Sequence, residues 1–288
     1  MAPFIKSLLW HHAPTGMLAR HFRRTWHRPT PTSWPEPGKA MQGQSCLAGR
    51  DLRVYSQNGE DGIIRFLMEH VASPAKTFVE FGFGLRENNC LRLVLQEGYS
   101  GLYLDGFEPS VRVFNECARQ HGIKGVSASV EYLTIDNINT TIAKHGFDRE
   151  VDIYSIDVDG VDYWLWEAST AINPRLVIIE CNTSFGPDAS VTVPYEASFD
   201  RNSKGANGHY HGASISALSK LALRKGYALL GCDSFGANAF FLRRDLLDET
   251  LYEISAAEAH RWSGHVAAAG ENRLVLRDTL LSMPLITI

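Results

Sequence analysis

From residue 60 to residue 243 the sequence switches repeatedly between segments of helical period and short, wholly apolar runs. "EDGIIRFLMEHV" (60–71) spaces Ile63, Ile64, Leu67, Met68 and Val71 along one helical face, and "TFVEF" (77–81) reads as a buried strand. A helix over 87–98 stopped by Gly98, a strand over 101–105 and a helix over 108–122 with Pro109 in its first turn come next. They are followed by strand 123–129, helix 134–146, strand 151–160, helix 161–170 and strand 174–182. A strong helix over 211–226 leads into two closing strands, "YALLGCD" and "NAFFLRR", separated by the turn residues Ser234–Ala237. Strands apolar on both faces and joined by helices belong in a parallel sheet covered on both sides. The expectation is therefore an α/β fold: a Rossmann-like, doubly wound, mostly parallel seven-stranded sheet with helices on both faces. That domain would occupy residues 51–288, with the tail 255–288 packed onto it.

Two stretches depart from this rhythm. Residues 183–210 are rich in Gly, Ser, Asn and Asp and are too long for a simple connection, which marks a functional loop. Residues 1–50 form a basic, Pro-rich extension, with seven Lys and Arg against the single acid Glu36, while the whole chain carries a formal charge of −4. Its apolar patch "FIKSLLW" lacks the leading charges and small-residue cleavage site of a secretory signal. Peripheral contact with a membrane surface or an acidic partner through this arm stands beside the plainer reading, a helix packed on the domain and a Pro-rich tether. No run of 18 apolar residues occurs, so no transmembrane segment is expected, and the acidic balance argues against nucleic acid. Five scattered cysteines without a CxxC pair indicate neither a zinc ribbon nor a disulfide framework and point to a reducing, cytoplasmic setting. Cys181 and Cys232 read as small core residues.

The turn after the first strand carries the first functional signal. Gly82 and Gly84 sit between strand 77–81 and the next helix, where glycine lets the backbone approach a ligand and the helix start offers unpaired N–H groups. On this reading a side chain at 82 would block the ligand and leave the core folded. Asp105 ends the second strand, where a carboxylate can accept both hydroxyls of a ribose. "VEFGFG" resembles the glycine motif of class I S-adenosylmethionine-dependent methyltransferases, Asp105 matches their ribose-binding acid, and the closing strands match their seven-stranded sheet. "YSQNGEDGIIRFL" (55–67) is similar to the leading helix of the FkbM-like sugar methyltransferases, and the resemblance runs over roughly residues 52–243. It implies S-adenosylmethionine as cofactor, held by Glu80, Gly82, Gly84 and Asp105. The third motif glycine is replaced, with Leu85 and Arg86 following Gly84, and Glu87-Asn88-Asn89 opens the next helix with unusual polarity. A strand ending in an acid, Glu80, suits the amino group of S-adenosylmethionine better than the pyrophosphate of a dinucleotide.

A second set of polar residues falls at the ends of the fourth and fifth strands. "SIDVDGVDYWLWE" places Asp157, Asp159 and Asp162 there, and "VIIECNTSFGPD" places Glu180, Asn182 and Asp188. Oxygen ligands from adjacent strand ends suit a hard cation such as Mg²⁺, and Asp157, Asp159, Glu180 and Asn182 resemble the metal site of catechol-type O-methyltransferases, with Glu180 in place of the usual Asp. The alternative is structural: Asp159-Gly160 as a turn and helix cap, Glu180 paired with an arginine, and Asn182 bonded to the loop backbone. Asp157 is expected at the cofactor or acceptor in either case. His209 and His211 lie where the long loop enters a helix, and His211 is a candidate general base or, equally, a neighbour of the helix cap. Tyr163, Trp164 and Trp166 read as packing residues, with a sugar-stacking role as the alternative.

Three functions fit these residues. One is a methyltransferase acting on a hydroxyl of a small-molecule or glycan acceptor, a saccharide or glycosylated metabolite, with Asp157 and His211 as its catalytic groups. Another is a non-catalytic Rossmann-like binding module in glycan assembly. The third is a metal-dependent hydrolase using the acidic rim.

Overall fold

A computed structural model describes residues 44–71, 75–84 and 88–288, together with 26, 31, 33 and 34. The apolar patch near the N-terminus and most of the basic, Pro-rich extension lie outside the described residues. Seven strands form one sheet: β1 (Thr77–Phe81), β2 (Ser100–Asp105), β3 (Val126–Val130), β4 (Glu150–Ile156), β5 (Asn173–Glu180), β7 (Tyr227–Cys232) and β8 (Asn238–Arg243). Their order is β3-β2-β1-β4-β5-β8-β7, with β8 antiparallel to both of its neighbours and the rest parallel. This is the expected Rossmann-like, mostly parallel sheet, in the strand order of the class I methyltransferase fold. The order in which strands are added reverses between β1 and β4, and ligands of open α/β sheets sit outside the strand ends at such a switch.

The central strands are largely apolar because successive side chains enter two different cores. Phe78 of β1, Ile153 of β4 and Ile178 of β5 pack on one face with helices α1 (Glu60–His70) and α2 (Glu108–Gln120). Val79, Tyr154 and Ile179 pack on the other with α3 (Ile138–Lys144), α4 (Asp162–Ala168) and α5 (Ile215–Lys225). Ser45–Leu47 are buried with the first core, and the Ser45 hydroxyl donates to the Leu230 carbonyl at 2.6 Å.

Several boundaries move for identifiable reasons. The helix expected over 87–98 begins at Leu91 and becomes a π-helical segment, Leu93–Glu97, ended by left-handed Gly98. The Asn88 side chain accepts from the Leu91 amide at 2.8 Å and so sets that start. The helix expected from 211 begins at Ile215, because Ser214 is its N-cap and accepts from the Ala217 amide. The fourth strand stops at Ile156, since Asp159 takes a left-handed conformation (φ 60°).

The long loop is ordered by the tail. Within it β6 (Val191–Thr192) pairs antiparallel with β9 (Ile286–Thr287), and Thr192 bridges Ala213. Phe185, Val193 and Tyr210 share a third core with Val266, Leu276 and Leu280 from helices α7 (Gly264–Ala268) and α8 (Arg273–Leu281), which follow the short α6 (Ala256–Ala259). The tail thus packs as expected. No described helix is long and apolar enough to cross a membrane. All five cysteines are free thiols.

Candidate active site

Gly82 follows β1 in a left-handed conformation (φ 69°), its amide donating to the Leu104 carbonyl at 2.9 Å. A Cβ placed there would lie 1.5 Å from the carbonyl oxygen of Asp157. The glycine is therefore demanded first by the close approach of the β1 and β4 ends. The expectation that a side chain at 82 would spare the core is corrected: it would push the two strand ends apart. Gly84, half-buried, follows in the same turn.

Glu80 is buried within β1, and its two carboxylate oxygens accept the Asn89 and Cys90 amides at 2.9 Å each. It caps the helical start, a task the sequence did not assign it. Asn88 completes the cap, accepting from Cys90, Leu91 and the Tyr103 hydroxyl, which explains the polar opening of this segment. Burial pushes the Glu80 carboxyl up to about 7. Each of its oxygens keeps a second lone pair for a ligand.

The segment before β1 contributes residues the sequence reading missed. One oxygen of Asp61 accepts from the amides of Val54, Tyr55 and Ser56 and from the Ser56 hydroxyl, all within 2.9 Å. This clamp folds "YSQNGED" back on itself and carries Gln57 and Glu60 to the strand ends. Glu60 is fully buried and accepts from Asn58 and from the Asn238 side chain at 2.8 Å. The spacing from Ser56 to Asp61 was the signal available. Gln57, Glu60, Glu80, Gly82, Asn89, Asp157 and Asn238 line one small pocket, which among the described residues holds three carboxyl groups and no cationic side chain.

Beside the Gly82 turn, Asp105 ends β2 half-buried. Its Oδ1 accepts the Phe107 amide at 2.6 Å, and Oδ2 has no protein partner among the described residues. Burial pushes its carboxyl up to about 6. The expected ribose acid thus offers one unused oxygen at the predicted strand end.

The rim beyond β4 and β5 is built differently. Asp157, Asp162 and Glu180 each bring an oxygen within 4.8 Å of the others. Asp162 uses both oxygens to cap its own loop, accepting from Val158 (2.8 Å) and Gly160 (3.0 Å). Asp159 is exposed and pairs with Arg201. Asn182 accepts from the Ser184 amide and donates to the His209 and His211 carbonyls at 2.8 and 2.9 Å. Glu180 lies 3.6 Å from the Arg201 guanidinium and 3.4 Å from His211 Nδ1. The expected Mg²⁺ set is thus not gathered: Asp159 pairs with Arg201, Asn182 bonds the loop backbone, and the Arg201 guanidinium stands against Glu180. Asp157, Asp159, Glu180 and Asn182 as a set do not fit a divalent cation. The structural alternative describes Glu180 and Asn182, whereas Asp159 makes the turn but pairs with Arg201 in place of capping a helix.

Burial holds Asp157 well above the usual carboxylate range, reinforced by Glu180 and Asp159. Burial also raises Glu180 to about 7 against the opposing pull of Arg201. His211 is held well below its ordinary value, first by burial and then by Arg201, so its imidazole is neutral at neutral pH. Arg201, unforeseen in the sequence, is fixed by donation to the Gly208 carbonyl at 2.8 Å. The aromatic residues considered for sugar stacking do not serve here: Tyr163 and Trp166 are buried in the core, and the Trp164 indole donates to the Val193 carbonyl.

No family model matches the chain, and no curated protein matches it. Among solved structures it is similar to the N-terminal domain of EvdMO1 in the presence of SAH and D-fucose, at 14% identity and a TM-score of 0.45, covering 81% of this chain and 98% of that one. It is also similar to the SAH-bound magnesium protoporphyrin IX methyltransferase ChlM from Synechocystis PCC 6803, at 14% identity and a TM-score of 0.43, covering 80% and 99%. A third is the SAH-bound Podospora anserina methyltransferase PaMTH1, at 14% identity and a TM-score of 0.42, covering 65% and 79%.

Proposed function

We propose that the protein is an S-adenosylmethionine-dependent methyltransferase that O-methylates a hydroxyl of a saccharide or glycosylated metabolite. The observation that carries this reading is the pocket at the switch point, lined among the described residues by Glu60, Glu80 and Asp157 and by no cation. Carboxylates stabilise a ligand bearing a sulfonium and an ammonium and repel the phosphates of a dinucleotide. Asp105, with its unused Oδ2, is suited to the ribose hydroxyls, and the Gly82–Gly84 turn brings backbone close to the ligand.

S-adenosylmethionine supplies the activated methyl group when bound. The chain's task is then to hold the acceptor hydroxyl in line and take its proton. Neutral His211 and the Asp157 carboxyl stand at the rim for that proton. Glu180 and Arg201 fix the imidazole's surroundings, and carboxylates, imidazole and guanidinium together suit an acceptor rich in hydroxyls. The basic N-terminal extension as a peripheral membrane contact belongs to the same proposal, since residues 1–50 and 51–288 would then divide anchoring from chemistry.

Titration calorimetry with S-adenosylmethionine and its demethylated product tests the donor assignment, and transfer of a labelled methyl group to a saccharide panel tests the activity. Binding with transfer is expected. Binding without transfer to any acceptor would favour a non-catalytic module, and no binding of either compound would overturn the proposal.

A further inference from the structure

The turn between β7 and β8 carries an aromatic ring into solvent beside the rim. Phe235 is 42% exposed, yet it is fixed on three sides. Its amide donates to Asp233 Oδ1 at 2.8 Å, its carbonyl accepts the Gly264 amide at 2.8 Å, and its ring packs on Gly264. A Cβ at Gly264 would fall 2.4 Å from that ring, so the glycine is what lets the tail lie against it. The His265 ring follows at 5.7 Å, tilted by 45°.

This turn borders the reacting residues. The Cys181 amide donates to Ala237 at 2.8 Å and the Thr183 hydroxyl to Gly236 at 2.9 Å, which joins the turn to the end of β5 on either side of Asn182. Asn238, at the start of β8, holds Glu60 in the pocket. His265 is near enough to act electrostatically on both Glu180 and His211.

Several other exposed large apolar side chains lie on helices, such as Leu223 on α5 and Leu274, Val275 and Leu281 on α8. Phe235 is held at the strand-end pole by its contacts to Asp233, Gly264 and His265, on the side of the rim, whereas the exposed Tyr132 lies beside Gly106 at the end of β2. A large exposed apolar surface that is prepaid in ordering entropy is suited to recognition, because little freedom is lost on binding.

We propose that Phe235, backed by His265, is the platform on which the acceptor sugar stacks, so that the turn 233–237 and the tail segment 260–265 determine acceptor specificity. A pyranose presents a face of C–H groups made electropositive by their oxygens, which matches the negative face of an aromatic ring. Its hydroxyls then turn towards Glu180, Arg201 and His211. The platform rests on the reading of the rim as an acceptor site, and its binding test does not need turnover.

Saturation-transfer NMR with methyl glycosides of glucose, galactose and rhamnose provides that test. Saturation should reach the C–H face of at least one glycoside in the wild-type protein, disappear in Phe235→Ala and return in Phe235→Trp. Thermal melting and S-adenosylmethionine binding should be unchanged in both variants, and Phe235→Leu, which keeps apolar packing without the π face, should behave as Phe235→Ala. In the methyl-transfer assay Phe235→Ala should raise the acceptor KM about tenfold with little change in kcat. No saturation transfer to any of the three glycosides, or equal transfer in Phe235→Ala, would overturn the platform. A wild type that binds glycosides through Phe235 but not S-adenosylmethionine would keep it and reject the methyltransferase reading.

Discussion

The acids of the switch-point pocket and the acids of the rim have been buried by different means. Glu80, Glu60 and Asp61 accept from backbone amides and neutral side chains, which are dipoles fixed by the fold. Glu180 instead faces Arg201 and His211, and its Oε2 and the His211 Nδ1 are buried without a hydrogen bond. Both sides keep an unmade bond, Asp61 Oδ1 and Asn238 Oδ1 by the pocket as well as Glu180 Oε2 and His211 Nδ1, but among the described residues only at the rim do two titratable groups face each other across it. The contrast suits a donor pocket of fixed dipoles beside a proton-handling acceptor rim.

The largest expected effect joins the two regions at their seam. Gly82→Val would drive a Cβ into the Asp157 carbonyl, displacing β1 from β4, and should cost about 4 kcal/mol or more of stability. Denaturant unfolding checks this; a variant that stays fully stable and merely loses the donor would show that the glycine serves the ligand alone.

The rim comes next. His211→Ala should lower kcat by roughly 10²–10⁴ while S-adenosylmethionine affinity changes by a few-fold only, and Asp157→Asn, at a residue that also lines the donor pocket, should lower both. Excess EDTA should leave wild-type turnover intact, since Asp159 and Asn182 are engaged elsewhere and Arg201 stands against Glu180. Loss of turnover on chelation would restore a metal to the Asp157, Asp162 and Glu180 cluster.

On the donor side Asp105→Ala should weaken binding by about 1.5–3 kcal/mol, the worth of one hydrogen bond to a charged group. Calorimetry reads this directly, and an unchanged affinity would remove the ribose role.

The smallest effect is a slope. Glu80 and Glu180 titrate near 7 when folded, above the ordinary glutamate value of 4.5. Between those values the folded state binds more protons than the unfolded one, so stability should fall as pH rises from about 5 to 7. Neutral, buried His211 acts oppositely, since it loses stability below its unfolded value. Thermal melts of Glu80→Gln and Glu180→Gln against pH would each flatten part of the slope. A slope insensitive to Glu180→Gln would mean that the rim is already relaxed by Arg201.

Much of the fold was legible because strand and helix periods are local. Phe78–Phe81 and Val151–Ile156 announce buried strands wherever they lie, and Gly98, Ser214 and Gly226 punctuate their helices through their own backbone and side-chain chemistry. The strand ends that bear Glu80, Asp105, Asp157 and Glu180 followed from the same pattern. What each acid does there was not legible. Glu80 could not be read as a cap, nor Asp61 as a clamp, because their donors gain meaning only once the chain has turned back.

The sequence by itself determined the alternating α/β order and which residues would reach the strand ends, since both depend on spacings of a few residues. Only the tertiary structure decided which of those residues meet. Arg201 reaches Asp159 from 42 positions away, and Phe235 meets the tail at Gly264. Such pairings are set by long-range packing, through β6 against β9 and the third core, and no local period encodes them. The separation of a pocket whose acids face fixed dipoles from a rim whose acids face Arg201 and His211 arose there, because burial and the choice of partner fix the state of a carboxyl group.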